Sequence, residues 1–146
     1  MKRNIIISVL TISLISGFMA CSSPKGKSAK GNITESVWGL VTVKAVVSDS
    51  SLIPSKDEIP TLEVLSDGTI KGTTGCNSFE GQVAVTGYNL KFGNLIFTHI
   101  SCPDRAIESA FFASLDSTDN YTVDHGHLLL KKGDKVLAKF MPMDMR

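Results

Sequence analysis

Gly68-Thr69-Ile70-Lys71-Gly72-Thr73-Thr74-Gly75-Cys76-Asn77-Ser78-Phe79-Glu80-Gly81 is the stretch on which the reading of the fold turns. It is dense in glycine, with a Cys-Asn pair at its centre. Gly72, Gly75 and Gly81 allow backbone turns and close approaches that a side chain would block. Asn77 can cap or bridge backbone groups in an irregular loop. Phe79 is placed to plug a sheet. Before this stretch, Val37–Val43 is β-branched and aromatic around Trp38, and Thr61–Leu65 alternates, so both read as strands. Residues 48–60, with two prolines, four serines and four charges, read as a loop. Ser66-Asp67-Gly68 is a turn, and Thr69–Gly72 resumes extended structure.

Downstream, Gln82–Thr86 and Tyr88–Phe92 flank Gly87 as a tight hairpin, and Leu95–Ile100 is a further strand. Pro103 then opens a helical pattern over about 103–116. Proline suits a first helical position, Asp104 and Glu108 suit the helix dipole, and Ile107, Ala110, Phe111 and Leu115 share one face. Tyr121–Val123, Leu128–Lys132 and Val136–Phe140 follow as strands, joined by turns at Gly126 and Gly133-Asp134. About eight short strands and one helix, with no βαβ alternation, make the chain a single mainly β domain and disfavour a Rossmann-like sheet.

The 146 residues carry 42% hydrophobic and 20% charged side chains and a formal charge of +1. That content excludes a disordered chain, and a pI near 7.7 argues against nucleic-acid binding by bulk charge. At the N-terminus, Lys2-Arg3 precede an uncharged run, Ile5–Met19. The run is too short and too rich in Ser and Thr for a membrane span of about 20 residues, and fits the core of a secretory signal. It ends in Phe18-Met19-Ala20-Cys21, which looks like a bacterial lipobox. Residues 1–20 are thus expected to be a lipoprotein signal peptide, with Cys21 the lipidated residue. Cleavage removes Lys2 and Arg3, so the formal charge moves from +1 to −1. Residues 21–34, rich in Ser, Gly and Lys, read as a flexible tether to a body over 35–146. More than one acyl chain anchors stably. With no acidic residue in Ser22-Ser23-Pro24-Lys25, the expected location is the outer membrane, facing the periplasm.

In the middle of the chain, the order Trp38-Gly39-Leu40, Gly75-Cys76-Asn77-x-Phe79-x-Gly81, Thr98-x-x-x-Cys102, then Glu108 and Phe111 on a helix, then Tyr121 and Leu128-Leu129-Leu130, closely resembles the META/HslJ domain family. The resemblance spans roughly residues 35–140. It implies an antiparallel sheet curled into an incomplete barrel against one helix, similar to a lipid-binding pilot lipoprotein of secretion systems. It also implies a bacterial envelope setting, with envelope maintenance or stress response as the role, and attaches no enzymatic activity.

With Cys21 lipidated, Cys76 and Cys102 remain. In an oxidising envelope they can form a disulfide, with two buried thiols as the alternative. No Cys-x-x-Cys redox pair is present. Catalytic signals are weak: there is no Gly-x-Ser-x-Gly elbow and no phosphate loop of Walker type. Asp57-Glu58 lies in a polar loop. The expectation is a monomeric, non-enzymatic protein without a cofactor. It binds an envelope protein or an apolar ligand in a cavity lined by Phe92, Phe97, Phe111 and Phe112. Phe111 and Phe112 are adjacent, so both cannot point inward. A rival reading is metal handling for copper or zinc. It rests on His125 and His127 at a hairpin and on Met141, Met143 and Met145, whose thioethers suit Cu(I); Pro142 is expected to interrupt strand pairing there.

Overall fold

The computed structural model describes residues 32–103 and 105–143. The signal peptide, Cys21, the tether up to Gly31, Asp104 and Met145 lie outside them. A 3-10 turn at Ile33–Glu35, capped by Asn32, leads into nine strands and one helix. The strands are β1 (Val37–Lys44), β2 (Ser51–Leu52), β3 (Thr61–Val64), β4 (Thr69–Thr73), β5 (Ser78–Thr86), β6 (Asn89–Phe97), β7 (Asn120–Asp124), β8 (His127–Lys132) and β9 (Lys135–Met143). The helix, α1, is Arg105–Ser117.

Every strand pairing is antiparallel, in the order β2-β1-β3-β4-β5-β6-β7-β8-β9, and β1 also pairs with β9. The sheet therefore curls into a ring, which accords with the curled sheet and one helix that the family resemblance implies. In β1 the buried side chains are Trp38, Leu40 and then Val43, with Gly39 also covered. The period of two slips because a bulge takes up Val41, between the pairs Leu40↔Phe140 and Thr42↔Lys139. Packed against the curl, α1 buries Ile107, Ala110, Phe111, Ser114 and Leu115 and contacts β1, β6, β8 and β9, while Arg105, Ser109, Asp116 and Ser117 face solvent. Phe79, Phe111, Phe140 and Leu115 pack together in the core, each essentially inaccessible. Buried hydroxyls on α1 are satisfied locally: Ser114 Oγ donates to Phe111 O at 2.7 Å, and Thr118 Oγ1 to Ser114 O at 2.6 Å.

Several expectations need correction. The tether does not run to residue 34: Ile33 is buried, and its carbonyl accepts the Trp38 Nε1–H at 2.8 Å. Residues 48–60 contain β2, formed as the chain folds back on β1 with Ala45 N donating to Ser50 O at 3.0 Å. β5 starts at Ser78, not Gln82: Phe79 and Val83 are buried with a period of two, and Gly81 between them pairs with Ile70 and faces the bulge of β6. The segments expected at 88–92 and 95–100 are one strand as far as Phe97, bent by a bulge near Asn94, whose φ is 52°; residues 98–100 lie beyond its end. The helix begins at Arg105, after Pro103. Finally, Pro142 does not stop β9: Trp38↔Pro142 and Val37↔Met143 still pair. β8 begins only at His127, so among the described residues this end of β9 has a neighbour on one side only, a position that tolerates proline.

Trp38→Phe keeps the apolar ring but loses the bond to Ile33. We expect about 1 kcal/mol of destabilisation, read as a lower midpoint in urea unfolding.

The weakest joint of the ring is β6–β7, with the single pair Asn89↔Asn120. Leu90 N donating to Asp119 O (3.1 Å) and Tyr121 N to Tyr88 O (3.0 Å) reinforce it. Asp119 braces it from outside, its Oδ1 accepting from Gly133 N at 2.9 Å and Asn120 Nδ2 at 2.7 Å. The Gly133 N–H, then the Asn120 amide and Lys132, hold the Asp119 carboxyl below the usual aspartate range. A carboxylate with a depressed folded-state pKa stabilises above its unfolded value, and that stability is lost as pH falls through the folded one. Asp49, held down by Lys135, and Asp67, held down by the Thr69 N–H, act in the same direction. Between about pH 6 and about pH 3 the melting midpoint should fall, and Asp119→Asn should make that fall shallower.

Candidate functional site: the Gly75–Asn77 knot and its cleft

Between β4 and β5 the chain makes a tight loop, Thr74 to Asn77. Gly75 sits there with φ 93°, and a methyl group on it would stand 2.4 Å from the Glu58 carbonyl oxygen, so no other residue fits without movement. Thr74 N donates to Asn77 O at 2.7 Å, and Asn77 N donates back to Thr74 Oγ1 at 3.0 Å. The loop thereby aims the Asn77 side chain inward, where it is buried.

Asn77 there joins three pieces of chain. Its Oδ1 accepts from Ile100 N at 2.7 Å and from Thr98 Oγ1 at 2.9 Å. Its Nδ2 donates to Glu108 Oε1 at 2.7 Å and to Ile100 O at 3.1 Å, with Cys102 Sγ also within 3.0 Å. The Ile100 N–H can only donate, so the amide orientation is fixed by its partners. Thr98 Oγ1 also accepts from Ser78 N at 3.1 Å, and Thr74 Oγ1 reaches Glu108 Oε1 at 3.1 Å. Cys76 and Cys102 are bonded as a disulfide, Cα to Cα 6.0 Å, which settles the choice that sequence left open. Residues 98–103 thus form a strap that links β6 to α1, held to the loop by one side chain and one covalent bond.

Gly75, Cys76, Asn77, Thr98 and Cys102 meet in this knot. Trp38, Phe79 and Gly81 do not: Trp38 and Phe79 fill the core, and Gly81 opposes the bulge of β6, where a methyl group would stand 2.8 Å from Leu95 Cδ2. Glu108, read from sequence as a dipole acid, is the helix's anchor to the knot. Thr74 was missed; two consecutive threonines before the glycine were the available signal.

The four phenylalanines do not line one cavity. Phe111 and Phe92 are buried in the core. Phe97 and Phe112 meet at the surface with ring centroids 4.8 Å apart, and His99 stacks edgewise on Phe97 at 5.0 Å. With Ile100, Arg105, Glu108 and Ser109 they border an open cleft of about 340 Å³ beside the strap.

His125 and Gly126, with φ 48° and 75°, form the β7–β8 turn. His125 Nδ1 lies 2.9 Å from Asp124 Oδ1, and His127 Nδ1 lies 3.2 Å from His125 O. Among the described residues, no three His, Cys, Asp or Glu side chains converge on a point where a metal ion could sit. None of the described helices is long and apolar enough to cross a membrane.

An antiparallel β-ring with one helix packed against it, locked by a polar knot and a disulfide beside the Gly-Cys-Asn loop, defines the class of domain. The META domain profile matches residues 31–144, and the chain belongs to the META domain family. Among solved structures, an NMR structure of a protein from Burkholderia xenovorans is similar at 26% identity and TM-score 0.60, over 78% of this chain and 85% of that one. A crystal structure of a DUF4847 family protein from Bacteroides vulgatus ATCC 8482 is similar at 20% identity and TM-score 0.55, over 77% and 96% of the two chains. The latter likeness is one of fold alone. No curated protein matches the chain.

Proposed function

We propose that the protein is a lipid-anchored component of the bacterial cell envelope that binds a partner protein at the Phe97–Phe112 cleft and performs no catalysis. The observation that carries this reading is the filled interior. Phe79, Phe111, Phe140 and Leu115 occupy the space between sheet and helix, where an apolar ligand would have to sit. The aromatic surface of exposed Phe97 and half-buried Phe112 instead opens outward, beside the strap that the knot holds in place. Asn77 and Thr74, the polar side chains of the loop, are engaged with one another's chain, with the strap and with Glu108. The lipobox supplies the anchor at Cys21, and the missing acidic residue after it favours the outer membrane and its periplasmic face. Envelope maintenance or stress response is the role that family resemblance suggests.

Three measurements test this. Cys21→Ser should move the chain from the membrane pellet to the soluble fraction; unchanged fractionation refutes the anchor. A photo-crosslinking residue in place of the exposed Ser109 should give a discrete protein adduct in living cells, lost with Phe112→Ala. Native mass spectrometry of the detergent extract should show bare protein, and a stoichiometric lipid-sized mass on the body would instead favour a carrier.

A further inference from the structure

We propose that His127, Met141 and Met143 form a soft-metal site on the outer face of the ring that takes Cu(I). The site goes beyond the partner-binding reading and does not depend on it.

The placement follows from the β8–β9 register. Leu128 pairs with Phe140, and both side chains are fully buried, so both point into the ring. Their neighbours His127 and Met141 must therefore point outward. Continuing the register by one residue sets them opposite each other, at the cross-strand spacing of about 5 Å at which side chains touch. On its other side Met141 pairs with Gly39 of β1, and Met143 pairs with Val37. Gly39 has no side chain, and the Met143 thioether occupies that space: a methyl group on Gly39 would stand 2.7 Å from the Met143 sulfur. The Met143 sulfur thus lies over Gly39, the β1 residue that faces Met141, with Ile59 beside it. The register therefore sets one imidazole and two thioethers on the same outer face, on β8 and β9.

The histidine is prepared as a ligand. Its Nδ1 faces the His125 carbonyl at 3.2 Å, and a carbonyl only accepts, so Nδ1 carries the proton. That leaves Nε2 with the free lone pair. Fixing one ring nitrogen against a backbone carbonyl is how metal-binding histidines are commonly oriented. As whole residues both methionines are exposed, Met141 at 50% and Met143 at 38%.

Thioether sulfur selects Cu(I) over harder ions, and imidazole suits copper. Lys139, two residues before Met141 on the same face of β9, disfavours a dication more than a monocation. Zn(II), which takes His, Cys and carboxylate ligands, finds no such group of three among the described residues.

The test uses the full chain carrying Cys21→Ser, purified in detergent, so that no free thiol competes. Titration under argon with Cu(I) buffered by bicinchoninate should show one equivalent withdrawn from the chelator. Met141→Leu with Met143→Leu preserves volume and should weaken binding by more than the about 10- to 100-fold typical of losing an outer-shell partner. His127→Gln should do likewise. Both variants should keep the parent melting midpoint. Ag(I), a redox-inert stand-in, should shift the Met141 and Met143 methyl resonances but not those of Met1 or Met19, a readout that needs no substitution at the site. No withdrawal of Cu(I), unchanged affinity in either variant, or Ag(I) shifts confined to the N-terminal methionines would overturn the proposal.

Discussion

Asn77→Ala is expected to destabilise the domain by about 3–5 kcal/mol, one of the two largest single effects the structure supports. The substitution removes little apolar contact. Its cost lies in the groups left behind: the Ile100 N–H, the Thr98 hydroxyl and Glu108 Oε1 all lose a partner held between 2.7 and 2.9 Å. A buried polar group stripped of its partner costs about 1–3 kcal/mol, and three such losses, partly relieved by water at the open cleft, give the range. In a body of this size that corresponds to a melting midpoint lower by about 15 °C, readable by calorimetry. A loss below about 1 kcal/mol would mean that the strap is held without Asn77.

Asn77→Asp separates the chemistry of the knot from its shape. The isosteric change turns the donor that meets Glu108 at 2.7 Å into a second carboxylate. Like charge and burial raise the pKa of a carboxylate in that position. A raised folded-state pKa contributes stability below the ordinary carboxylate value that is lost as pH rises. This variant should therefore regain stability on acidification. The parent chain moves the opposite way, since Asp119, Asp49 and Asp67 have depressed values.

How much of this was legible from sequence follows from what each feature depends on. Alternation and turn residues located most strands, because burial on one face of a sheet leaves a period-two trace; Leu62 and Val64 on β3, or Leu128 and Leu130 on β8, are buried as that trace requires. The two-residue hairpins at Gly126 and Gly133 were legible for the same local reason. β2 was not, because two residues in a serine- and charge-rich loop carry no period; β1 and the Lys44 contact to Asp49 O create it. The continuity of β9 through Pro142 was hidden because it depends on where β8 ends. In the knot, the loop residues were visible as a motif, and Asn77 was read as a bridging residue. Its partners were not, since Ile100 lies 23 residues away and acts only through its backbone. The phenylalanines failed as a set because helical periodicity separates Phe111 from Phe112, but composition does not say that Phe97 joins the outer one.

Removing the disulfide by Cys76→Ser with Cys102→Ser should cost about 3–4 kcal/mol, on the loop-entropy relation for a 26-residue separation. The consequence should be uneven along the chain. Cys102 ends the strap; Asn77 holds the Thr98 hydroxyl and both backbone groups of Ile100, while the start of the strap is also tied to β5, Thr98 N donating to Ser78 O at 3.0 Å and Ser78 N to Thr98 Oγ1 at 3.1 Å. Without the covalent tie, the Ile100 amide should exchange with solvent through local opening of the strap. Amides of β8 and β9, paired on both sides of Leu128–Leu130, should follow only the global change. The two fastenings also share one load, so their losses should not add. Once the disulfide is gone, the strap samples open states in which Asn77 already lacks its partners, and Asn77→Ala then removes less. A double-mutant cycle should return a coupling of about 1–3 kcal/mol, within the range for contacting groups in one network. Additive losses would mean that the disulfide and the amide hold separate parts of the domain. In that case opening the disulfide would leave the Phe97–Phe112 cleft unchanged, whereas coupled losses make the cleft's shape depend on the oxidation state of Cys76 and Cys102.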